Sequence, residues 1–187
     1  MWTIEPGSLT LTEGLNTYPM PVDTIDLLDH VIRTNANNGA LQADLNITRI
    51  SVSTYATIPT KLITGRPIQV WIQRYSGLKN PTGATLSSSI GTTDTSITLS
   101  SVDGLPAFGY IDLDSETIFY SYISGNTLSN CFRAQNGTTA ASHTGGATVY
   151  WNQLPAFTVW PTPDATTTYT FAYWRMRRIQ DAGNGVE

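Results

Sequence analysis

The 187-residue chain reads as a mainly β protein with little helix, in which a discontinuous host domain is interrupted by a smaller β module. Three observations predict this. β-Branched and aromatic residues dominate, with turn residues at short spacing. Period-two alternation is clear near the end of the chain. Composition also shifts in the middle: from about 82 to 148 there is no Lys, Arg133 is the only Lys or Arg, and Ser, Thr and Gly crowd the stretch.

The elements follow in order. In 25–33 the apolar residues Ile25, Leu27, Leu28, Val31 and Ile32 fit a helical face about as well as a strand. A loop-like tip from Asn35 to Gly39 favours strand. One helical turn is expected around 53–58, stopped by Pro59. Residues 68–74 form a Trp- and Arg-bearing strand. Inside the module, short strands are expected at 96–99, 110–113 and 117–122. Asp114-Ser115 makes a tight hairpin there, and Ser124-Gly125-Asn126 the next turn. After it come strands at 157–160 and 168–179, the second with Tyr169, Phe171 and Tyr173 alternating with Thr170, Ala172 and Trp174.

The flanks resemble each other and differ from the middle. The host is therefore 1–80 plus 149–187, and the insert 81–148, each a sandwich or barrel. Asn80-Pro81-Thr82-Gly83 is the expected entry loop, since insertion is tolerated at exposed hairpin tips.

With 40% apolar and 13% charged residues, five Trp, nine Tyr and five Phe at a formal charge of -4, the chain has the composition of a folded protein. The mild acidity argues against sequence-independent nucleic-acid binding, which needs clustered Lys and Arg. No apolar run of about 18 residues is present to span a membrane. The start, Met1 to Pro6, lacks a basic segment and an apolar signal core, so secretion is not expected. Cys131 stands alone and reads as a small core residue. Two glycosylation-type sequons, at Asn46 and Asn136, read as chance in a Thr-rich chain.

His30 reads as a packed or rim residue, His143 as a loop residue beside Gly145-Gly146, and neither has a ligand spacing. Asp23, Asp26 and Asp29 lie three apart. Asp112, Asp114 and Glu116 lie two apart and would share one strand face, which suits Ca²⁺ or a glycosidase pair. The reading taken is a solvated strand face. No GxSxG elbow and no Gly-rich phosphate loop occurs. Neither an enzyme, a metal nor a cofactor is expected. Arg175, Arg177 and Arg178 form the one basic cluster, open to subunit contact, to a solvated strand end, or to DNA.

An ordered set of phrases adds to this. They are Tyr18-Pro19-Met20-Pro21-Val22-Asp23 leading into 25–33, Thr48 to Pro59 with Lys61, Gly65-Arg66-Pro67, Val159-Trp160-Pro161-Thr162-Pro163-Asp164, and Tyr169 to Trp174 followed by Arg177-Arg178-Ile179-Gln180-Asp181. Over most of 15–80 and 154–183 the chain resembles the head-to-tail adaptor (gatekeeper) family of short-tailed bacteriophages, the tail tubular protein A group. The stretch with Gly91 to Leu99, Glu116-Thr117-Ile118, Cys131 to Ala140 and His143 to Ala147 resembles a small β module carried by virion proteins.

The resemblance implies a structural virion subunit, assembled in the bacterial cytoplasm and forming a ring between portal and tail nozzle proteins, with DNA only as passing cargo. An acidic wall would not trap the duplex. Family members carry helices before and after the β region, whereas this chain opens at Met1-Trp2 directly before it. That implies a piece or a reduced relative, and if the helices are missing the expectation shifts from a ring towards a monomer for the isolated chain. The alternative function is a receptor- or glycan-binding tail module, with Tyr120, Tyr122, Tyr150 and Trp151 available to stack on sugars.

Overall fold

The computed structural model describes residues 2–21, 23–74 and 78–178, with the backbone alone at Arg178. Strand accounts for 52% of the chain and helix for 3%. None of the four sheets closes into a barrel, so open sheets replace the barrel alternative. Two compact units form. Met1–Asn16, Asp23–Trp71 and Val159–Glu187 make unit 1, and Thr17–Val22 with Ile72–Thr158 make unit 2.

The chain begins with β1 (Trp2–Thr10), β2 (Thr17–Pro19), β3 (Thr24–Thr34), β4 (Ala43–Asn46) and β5 (Thr48–Ile50). Next come α1 (Val52–Thr57), β6 (Gln69–Gln73), β7 (Lys79–Thr85), β8 (Ile97–Thr98), β9 (Gly109–Leu113) and β10 (Glu116–Tyr120). The last are β11 (Tyr122–Ser124), β12 (Thr127–Ser129), β13 (Phe132–Gln135), β14 (Thr148–Asn152), β15 (Ala156–Trp160) and β16 (Tyr169–Arg178).

Unit 1 is built on an antiparallel sheet in the order β1-β16-β3-β4. The β1–β16 register runs unbroken from Trp2 opposite Arg178 to Thr10 opposite Thr170. Residues 25–33 are strand, not helix. β3 ends in a tip where Asn35 (φ +51°) and Asn37 (φ +69°) take the left-handed conformation that Asn tolerates. Along the inner face Leu27, Ile32, Phe171 and Tyr173 are buried. The Tyr173 ring lies across Gly7, where an added Cβ would fall 2.6 Å from the tyrosine oxygen, so any other residue here would have to displace that ring. The expected helical turn is α1. Its Ser51 cap accepts a hydrogen bond from the Thr54 amide at 3.1 Å, and Lys61 closes the other end by donating to the Ala56 and Ile58 carbonyls. Tyr55 of this helix stacks on Trp71 at 5.1 Å. β5 pairs in parallel with the first part of β6.

Unit 2 holds a five-stranded sheet, β13-β10-β9-β14-β7, and a three-stranded one, β11-β12-β8. Ile111, Leu113, Ile118, Tyr120 and Val149 of the first pack with Ile97 and Leu128 of the second, and Leu86, Ile90, Leu99 and Cys131 complete the core. Each such aliphatic side chain contributes roughly 1.5–3 kcal/mol by leaving water. The hairpin turn at Asp114-Ser115 forms where predicted, with Asp114 at φ +51°. The expected strand 117–122 is interrupted at buried Ser121, where the chain passes from the five-stranded sheet into the three-stranded one.

Residues 80–83, expected as an entry loop, lie inside β7, with Pro81 opposite Tyr150. An edge strand accepts a proline that an inner strand would reject. The segment 81–148 falls within unit 2, which also gathers 17–22, 72–80 and 149–158. Pairing joins what composition separates. β7 runs along β14, β2 pairs with β15, and the buried Tyr110 hydroxyl donates to the Pro155 carbonyl at 2.6 Å while accepting from the Met20 amide at 3.1 Å.

Candidate functional site

The acids of the β9–β10 hairpin do not share a solvated face. The reversal at Asp114-Ser115 places them on two strands, and Asp112 and Glu116 are both buried. Asp112 accepts hydrogen bonds from Thr117 Oγ1 (2.8 Å) and Asn152 Nδ2 (3.1 Å) and an ion pair from Lys79 Nζ (2.8 Å). Glu116 is 0% exposed and takes both prongs of the Arg133 guanidinium, at 2.8 and 2.7 Å. The Ala134 and Ala141 amides each reach it at 3.0 Å, and His143 Nε2 at 2.9 Å. Burial raises the Glu116 pKa, but the Arg133, His143, Ala141 and Ala134 hydrogen bonds outweigh it and hold it at about 2.

His143 lies in the loop between β13 and β14, as expected, but it is buried there. Its ring is buried between Glu116 and Asp114 Oδ2 (2.7 Å), and its backbone bridges to Ile90. Every group in this cluster is occupied by another, and no face of Glu116 is open to a substrate. It is a clasp that ties β13 and the loop 136–147 to the hairpin. Cys131 is buried, and its thiol is pushed up to about 12 by desolvation, with Arg133 pulling the other way.

Arg175 and Arg177 of the basic cluster lie on the inner side of the unit 1 sheet. Arg175 bonds Glu5 and Asp23, with Thr24 Oγ1 at 3.1 Å. Arg177 reaches Asp23 at 3.2 Å, and its Nε lies 2.9 Å from Glu5, near enough for charge attraction but outside hydrogen-bond alignment. Burial raises the Asp23 pKa, yet the two arginines more than reverse it and lower it below the usual carboxylate range. The charges of Arg175 and Arg177 are thus matched within the chain, and the Arg178 side chain lies outside the described residues. His30 is half-buried against Phe171, with its pKa lowered by desolvation and then by Arg49.

The opposite face of the same sheet is different. Trp2 (64% exposed), Ile4 (56%) and Trp174 (49%) stand in the cross-strand rows that also carry Pro6 and Met176. Next to them is a concavity of about 470 Å³. Its floor is the row Ser8–Ala172–Val31, all small or short side chains. One wall is the row Pro6–Trp174–Asp29, and the other carries the Arg33–Asp44 pair, bonded at 2.7 and 2.8 Å. Sequence reading missed this face, because β1 contains Pro6 and Gly7 and does not announce itself as a strand. The one signal was the alternation Trp2, Ile4 at the very start.

Of the aromatics proposed for sugar stacking, Tyr120 is fully buried and donates to the Pro106 carbonyl at 2.8 Å. Trp151 is half-buried, Tyr150 lies under Lys79 at 5.1 Å, and Tyr122 is exposed. Among the described residues no group of three His, Cys, Asp or Glu side chains is placed to hold a metal, and no helix is long and apolar enough to cross a membrane. Compared with protein-family models, curated proteins and solved structures, the chain finds no match.

Proposed function

We propose that this chain is a structural subunit of a phage head-to-tail connector, working through the surfaces it offers to portal, nozzle and sister subunits in the virion, with DNA as passing cargo. The observation that carries this reading is the bare outer face of the β1-β16-β3-β4 sheet. Contiguous apolar surface of this kind is what protein interfaces cover. β1 is also an edge strand, with one side unpaired among the described residues. Its Leu11 neighbour donates inward to the Tyr169 carbonyl, so by alternation the even-numbered amides point to the open edge. Pro6 falls in that set and has no N–H, which limits uncontrolled strand addition. The identity of these neighbours rests on the resemblance of the ordered phrases to the adaptor family.

The test is photo-cross-linking from position 4 in assembled particles. Adducts to a portal or nozzle protein are expected. Particles that contain the chain yet give no adduct from this face would refute the reading.

A further inference from the structure

The trough on the outer face has one charge left over. Asp44 is neutralised by the bidentate Arg33 contact, whereas Asp29 accepts only the His30 amide (2.8 Å) and enters no ion pair among the described residues. Asp29 stands directly opposite Trp174 in the β16–β3 register, so an exposed acidic residue and an exposed indole share one cross-strand row and line the same concavity. The floor of Ser8, Ala172 and Val31 leaves room for an aliphatic stem beside them.

We propose that this trough receives a basic side chain, arginine or lysine, carried on an extended segment of a protein partner, with the cation held between the Trp174 ring and the Asp29 carboxylate. The indole quadrupole attracts a cation over its face, and the adjacent carboxylate adds charge and hydrogen bonds. A guanidinium also stacks flat on the ring, which an ammonium does not. The unmatched negative charge selects a cation over a neutral sugar. This names the chemistry of a contact on the connector face and rests on that reading for a protein partner.

The probe is the blocked peptide Gly-Gly-Arg-Gly-Gly, set against the same peptide with citrulline, which keeps the shape and lacks the charge. Both are titrated into the full chain while the Trp174 indole and Asp29 amide resonances are followed. The arginine peptide should shift both signals, and the citrulline peptide should bind at least about tenfold more weakly. Asp29→Asn and Trp174→Leu should each lose about tenfold, with unchanged melting because both side chains are exposed. Equal binding of the two peptides, no shift at Trp174, or displacement of the arginine peptide by a neutral glucose hexasaccharide would each overturn the proposal. Peptide binding without virion cross-links would sink the connector reading and leave the trough; cross-links without peptide binding would do the reverse.

Discussion

Neutralising Glu116 tests the clasp of unit 2 most directly. Its carboxyl is held at about 2 against an ordinary 4.5, a gap of about 2.5 units, and at about 1.36 kcal/mol per unit this is roughly 3 kcal/mol of folding stability. Because the folded value lies below the unfolded one, that stability is complete above about pH 4.5 and drains away as the pH falls towards about 2. Glu116→Gln imposes the loss at every pH. The amide nitrogen would face the Arg133 guanidinium, whose side chain is only 8% exposed and would be left without a matching charge. Breaking one partner of such a buried pair costs about 3–5 kcal/mol.

For a cooperative unit of this size that lowers the melting midpoint by at least about 10 °C at neutral pH. Calorimetry of parent and variant from pH 7 down to 2 is the assay. The gap between them should be wide at neutral pH and close steadily below about 4.5. A gap under about 2 °C at neutral pH, or one that stays constant through the acid range, would refute the reasoning.

Further perturbations address other parts. Gly7→Ala drives a methyl group into the Tyr173 ring and should cost unit 1 about 1–3 kcal/mol by urea denaturation. Arg175→Ala removes the guanidinium that bridges Glu5 and Asp23, and should cost about 1.5–3 kcal/mol, seen as a lower urea midpoint with unchanged slope. The same variant should raise the Asp23 pKa, measurable by carboxyl NMR, since Arg175 is the main group opposing its burial. Cys131, buried and with its thiol at about 12, should stay unreactive to a disulfide reagent at pH 8 until the chain unfolds.

The sequence by itself determined the fold class, the strands at 68–74, 110–113 and 157–160, the turn at Asp114-Ser115 and the short helix; it leaned to strand at 25–33, and of the expected strand 168–179 the last residue lies outside the described residues. Period-two alternation, β-branched side chains and turn residues act within a few positions, so they are readable locally. Tertiary structure decided the rest. Asp112 and Glu116 look solvated in isolation, and their burial is possible only because Lys79, Arg133 and His143 arrive from 17 to 33 residues away. The pairing of β7 with β14 and of β2 with β15 drew the unit limits across the composition boundary. The trough exists because the unbroken register from Tyr169–Thr34 onwards sets the Trp174 indole opposite Asp29. Strand propensity is a property of neighbours in sequence, whereas charge satisfaction and facing side chains are properties of register, and register is settled only when distant strands meet.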